Sequence, residues 1–122
     1  MPRRYPWEKL PDEELLKLRL KDLKVTIDGS WLERRLADLD WELAQRDLRV
    51  KPPAWISDEW FSPDESPGIA IPFYLAHPRL RRLERKKMID VEGGTVSECM
   101  RILRHEAGHV VQNAFQLHRR RR

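Results

Sequence analysis

The 122-residue chain carries 24 Lys and Arg against 20 Asp and Glu, and 36% of its residues are charged against 40% hydrophobic. That balance suits one well-solvated domain with a modest core, and no apolar run approaches the ~20 residues of a membrane helix. The opening MPRRYPWEKL has no apolar stretch behind its basic residues, and Cys99 has no second cysteine to pair with, so a cytoplasmic protein is expected, with no secretory signal, disulfide or membrane contact.

In chain order, residues 11–20 (PDEELLKLRL) place Pro and three acids before leucines, which predicts a short helix start. KVTIDGS then reads as an extended piece and a turn. Ser30-Trp31-Leu32-Glu33 is a capping box. Leu32, Leu36, Leu39 and Leu43 follow as one apolar stripe, predicting an amphipathic helix over residues 31–47. KPPAW ends it, because proline lacks an N–H and restrains the residue before it.

Residues 55–78 mix aromatics, β-branched residues, Pro and Gly, and predict one or two short strands with a turn at SPDESPG. Pro72 lies inside the apolar run 69–75, and proline within a sheet is largely confined to edge strands. PRLRRLERKKMIDV predicts a short basic helix ended by Glu92-Gly93-Gly94. Thr95-Val96-Ser97-Glu98 is a second capping box, opening a helix to about residue 118. The whole reads as α+β, mainly helical with a small sheet, in a single domain over residues 1–122. The five tryptophans are expected to be packing anchors.

The final predicted helix carries the chemistry. His105-Glu106-Ala107-Gly108-His109 is an H-E-x-x-H pattern. At about 100° per residue, the two histidines lie about 40° apart on one face, where both imidazoles can bind one Zn2+. Glu106 is one step round, placed to act as the catalytic base on a zinc-activated water and then as acid toward the leaving amine. Met100, Leu103, Ala107, Val110 and Ala114 form the side expected to face a core. Gly108 carries a helix-propensity cost of up to ~1 kcal/mol, which hints at a packing or access requirement.

A catalytic zinc needs a third protein ligand. The metzincin arrangement is excluded, because Gln112 and Phe115 occupy the positions where it needs glycine and histidine. His118, nine residues past His109, faces away on a continuous helix. His77 is expected to be a structural hydrogen-bonding group.

Taken together, WISDEWFSPDESPGIAIPFYLAHPRL (55–80), VEGGT (91–95) and RILRHEAGHVVQNAFQLHRRRR (101–122) resemble the bacterial zinc-binding metallopeptidases of the gluzincin type. The stretch 67–80 followed by RHEAGH carries most of that likeness. The resemblance implies a zincin-like half-domain with the edge strand, residues 69–75, beside the HExxH helix and available to hold an extended peptide. It implies His105 and His109 as zinc ligands, Glu106 as general base, and a glutamate third ligand beyond residue 122. Weak zinc binding and little peptide cleavage are then expected of these 122 residues alone.

Two other readings stay open. The motif specifies activated water better than it specifies substrate, so a zinc hydrolase of other esters or amides fits it too. A small interaction module would instead use residues 119–122 and the basic stretch 79–87 against nucleic acid or an acidic partner. Nucleic acid is not the expected partner, since the count without the four terminal arginines is 20 basic against 20 acidic residues.

Overall fold

The computed structural model describes residues 5–48, 51–62, 68–87 and 91–120, with side chains described as far as residue 112. Proline and three acids at the predicted first helix give only one turn, α1 (Asp12–Leu15), and a second turn follows as α2 (Leu20–Leu23). A 3-10 turn, Pro6–Lys9, precedes them. KVTIDGS opens with Lys24 in a left-handed conformation (φ 55°), forms no strand pairing, and turns at Gly29, whose φ of +78° suits a residue lacking Cβ.

The leucine stripe folds as predicted. Helix α3 spans Trp31–Gln45, and the Ser30 side chain accepts from the Leu32 N–H at 3.2 Å. Glu33 reaches Gly29 N–H rather than that of Ser30, so the box closes one residue early. The helix stops two residues before the predicted end, and Asp47 takes a left-handed φ of 58° beyond it.

Strands β1 (Ala54–Ser57) and β2 (Ile69–Pro72) form a two-stranded parallel sheet in which Ala54 pairs Ile69 and Ser57 pairs Pro72. The predicted run 69–75 divides at Pro72, after which Phe73–Ala76 coil into a 3-10 turn. Helix α4 (Pro78–Lys87) follows. Helix α5 (Val96–Arg120) is capped by the Thr95 hydroxyl, which accepts from Glu98 N–H at 3.1 Å. The carboxylate of Glu98 takes the Gly93 N–H at 3.0 Å, where Gly93 turns the chain with φ +85°.

These elements bury one main core and one satellite. The main core joins Leu32, Leu39 and Leu43 of α3, Ile69 and Ile71 of β2, Leu75, and Cys99, Met100, Leu103, Ala107 and Val110 of α5. Four of the five α5 residues expected inward are therefore there; the side chain of Ala114 lies outside the described residues. The satellite packs Trp7, Leu15 and Leu23 against Leu80 and Leu83 of α4. Trp7 satisfies its indole by donating to the Leu23 carbonyl at 2.8 Å. Asp12 ties this segment to α4 through Arg79 at 2.6 Å and Lys86 at 3.1 Å, and the Arg79 bond holds its carboxyl below the usual range. Among the described residues no helix is long and apolar enough to cross a membrane.

Two core groups make the fold alkali-sensitive. Burial pushes the Cys99 thiol from 9.0 up to about 12 and the Tyr74 phenol from 10.0 up to about 12. Both hold their protons more tightly folded than unfolded, so stability is intact below pH 9 and falls as pH rises toward 12. For Cys99 the slope approaches ~1.4 kcal/mol per pH unit. Chemical denaturation from pH 8 upward should show this loss, and Cys99→Ala should make it shallower.

Candidate metal centre

Helix α5 holds the H-E-x-x-H face because its opposite side is locked into the core. Leu103, Ala107 and Val110 are buried, which turns His105 and His109 outward to an exposed face and leaves Glu106 half-buried between the two sides. The His105 and His109 Nε2 atoms converge to 3.2 Å, with ring centres 4.7 Å apart and planes at 87°. A tetrahedral zinc with Zn–N of 2.0–2.1 Å requires its two nitrogens about 3.3–3.4 Å apart. The observed separation of 3.2 Å is slightly shorter than that requirement. It suits a direct N–H···N hydrogen bond, in which one imidazole donates to the other.

The two histidines of the motif thus come together, while Glu106 shares their helix without joining them in a three-residue group. Among the described residues, however, no third His, Cys, Asp or Glu joins them. Helix α5 continues to Arg120, the continuous helix on which His118 is expected to face away, and the side chain of His118 lies outside the described residues.

His77 has a structural role, as expected. Its Nδ1 accepts the Arg79 N–H at 3.0 Å, which places the proton on Nε2, and that nitrogen donates to Glu8 Oε1 at 3.0 Å. Its ring also packs edge-on against Trp7, with centres 4.9 Å apart. Both nitrogens are used within the satellite core and neither is free for a metal.

Strand β2 packs on α5, and in a two-stranded sheet it is an edge strand. Its outer edge is nonetheless already covered by the protein's own chain. Ala70 exchanges both backbone bonds with Phe61, at 2.8 and 3.4 Å, and Ser62 Oγ donates to the Gly68 carbonyl at 2.9 Å. Pro72 has no N–H to offer. An extended peptide therefore finds no row of free groups along this edge, which corrects the expectation that residues 69–75 hold one by strand addition.

Gly108 supplies a second correction. A Cβ built there meets nothing within 4 Å, so close packing does not require the glycine. It lies instead at an open groove of ≈ 240 Å³ between α3 and α5, floored by Leu39, Leu43 and Ala107. Gly108→Ala should stabilise the fold by up to ~1 kcal/mol through helix propensity, read as a rise in the thermal midpoint.

The structure adds one pairing that sequence spacing does not reveal. Arg104, immediately before the motif, forks onto Glu42 of α3 with bonds of 2.7 and 3.1 Å. The guanidinium holds Glu42 below the usual carboxylate range, and the carboxylate raises Arg104 in turn. The partners are 62 positions apart in the chain, so only the fold brings them together. At this exposure the pair contributes about 0.2–1 kcal/mol, a minor addition to the burial that orients α5 on α3.

No protein-family model matches the chain, and no curated protein or solved structure matches it. The metallopeptidase resemblance rests on its residues alone.

Proposed function

We propose that the protein is a zinc-dependent hydrolase of the metallopeptidase kind, with His105 and His109 as metal ligands and Glu106 as general base. The observation that supports this most directly is the 3.2 Å convergence of the two Nε2 atoms on an exposed helical face. Open imidazoles at this spacing suit a borderline-soft metal that takes nitrogen ligands. The remaining protein ligand would come from outside the described residues.

When bound, zinc would supply Lewis acidity toward water and a carbonyl oxygen. The chain's own part is to orient and to move a proton. The buried side of α5 fixes which face the two histidines share, since Leu103 and Ala107 cannot rotate outward without opening the core. Glu106 would take a proton from the attacking water and deliver it to the leaving nitrogen. A peptide is the substrate class the resemblance suggests, and it would have to lie elsewhere than along β2.

Glu106→Gln is the direct test. It should retain the parent's zinc, because Glu106 is not a ligand, and lose about 100-fold or more of the mixed-peptide hydrolysis that the parent shows once a third metal ligand is supplied. A variant that keeps both zinc and the full rate would remove Glu106 from the mechanism. Loss of zinc in the same variant would make it a ligand instead.

A further inference from the structure

Gly108 stands in the middle of α5 at the helix-propensity cost of a glycine, and packing does not require it there, since an added Cβ meets nothing within 4 Å. What it borders is the open groove of ≈ 240 Å³ between α3 and α5. At about 100° per residue, Gly108 lies on α5 between the groove-lining Arg104 and Val111 and the two motif histidines. The glycine therefore leaves bare backbone between the groove and the histidine face. We infer that the groove takes a large apolar residue at the carboxyl end of a peptide substrate, which rests on the hydrolase reading and names the substrate class of that site.

The lining suits such a residue in both its parts. Leu39, Leu43, Leu48, Ala107 and Val111 make the groove apolar. A cavity of ~150 Å³ is enough to hold benzene, so this volume admits a leucine or phenylalanine side chain. The rim is charged. Arg104 engages both oxygens of Glu42, at 2.7 and 3.1 Å, and cancels it. Arg46, which also lines the groove, forms no ion pair among the described residues, so the rim keeps one positive charge. An apolar side chain beside a terminal carboxylate matches this pairing of apolar lining and guanidinium fork.

Helix positions three apart are surface neighbours, about 5–6 Å between Cβ positions, so Gly108 adjoins His105 directly. One or two extended residues at about 3.3–3.6 Å each cover that step. A chain seated in the groove by its last residue thus crosses Gly108 and reaches the histidine face within a peptide unit or two. Binding to the zinc-free protein isolates the groove from the metal chemistry. Titration of the intact protein with N-acetyl-phenylalanine at constant ionic strength, followed by heteronuclear NMR, should show one saturable site with shifts at Ala107, Gly108 and Val111. N-acetyl-glycine, which lacks the side chain, should bind at least about tenfold more weakly.

Arg46→Gln should weaken N-acetyl-phenylalanine about fivefold and leave the affinity for its uncharged amide unchanged. Arg101→Gln is the charge-matched control, because Arg101 is exposed on α5 and does not line the groove. Gly108→Leu should weaken both ligands at least about tenfold, because a helical side chain leans toward the N-terminus and would lie across the passage beside Arg104 and His105. Circular dichroism checks that it folds, and the surface change at Arg46 decides the matter if it does not. No saturable shift, equal binding of the glycine compound, or equal loss in the Arg46 and Arg101 variants would overturn the inference and leave the metal site untouched. Paramagnetic Co2+ in place of zinc should broaden the ring protons of the bound ligand. Ring protons unmoved by Co2+ that is held through His105 would overturn the substrate role. No Co2+ uptake dependent on His105, with ligand binding intact, would instead overturn the hydrolase reading and the substrate role with it.

Discussion

Replacing either His105 or His109 with alanine is expected to abolish zinc binding to this face of α5. With two imidazoles as the protein's contribution, losing one leaves a single point of attachment. The loss should exceed the roughly 10–100-fold that follows removal of an outer-shell partner. Because both rings are exposed and alanine is the better helix former, the fold should be untouched. Competition against a chromophoric chelator measures the affinity, and far-UV circular dichroism checks the helix. A His105→Ala protein that binds zinc like the parent would place the metal elsewhere.

The largest stability effect is expected at Leu103, two residues before the motif. It is fully buried and belongs to the core shared by α3, β2 and α5. Leu103→Ala should cost about 2–5 kcal/mol, combining lost transfer energy with the cavity left behind. Urea denaturation would show this as a lower midpoint at unchanged slope. Arg104→Ala, its neighbour, should cost about 0.2–1 kcal/mol, because its ion pair is largely solvated. Nearly equal losses for the two would contradict a motif helix positioned by burial rather than by surface charge.

What the sequence reveals and what it hides divide along local and long-range physics. The leucine stripe of α3 and the inward face of α5 follow from a 3.6-residue period, and both helices start where a hydroxyl cap precedes them. The convergence of His105 and His109 is legible for the same reason, since one helical turn fixes it. Strand β2 is legible in kind, but its end at Pro72 rather than at residue 75 and the coverage of its outer edge are not. Phe61 and Ser62 reach that edge only because the chain doubles back after β1, and no residue period encodes that return.

The same holds for charge. The sequence places its whole excess of positive charge in residues 119–122. In the fold, Asp12 is drawn onto Arg79 and Lys86, and Asp38 is shared between two arginines, while Arg81 is left without a carboxylate among the described residues. Local charge imbalance thus arises where the overall count is even. The short helix predicted at residues 11–20 shows the opposite effect. Only one turn, Asp12–Leu15, forms within that segment, and Leu15 joins Leu23 of the following turn in the satellite core with Trp7 and α4.

The most direct test of the central claim is X-ray absorption at the zinc edge, on protein loaded with one equivalent of metal. The proposed centre predicts two imidazole nitrogens in the first shell at about 2.0–2.1 Å, with any further ligands being oxygens from water or added carboxylate. The imidazole scattering should fall in His109→Ala. A first shell of oxygen alone, or one unchanged in that variant, would contradict a zinc site built on the H-E-x-x-H face.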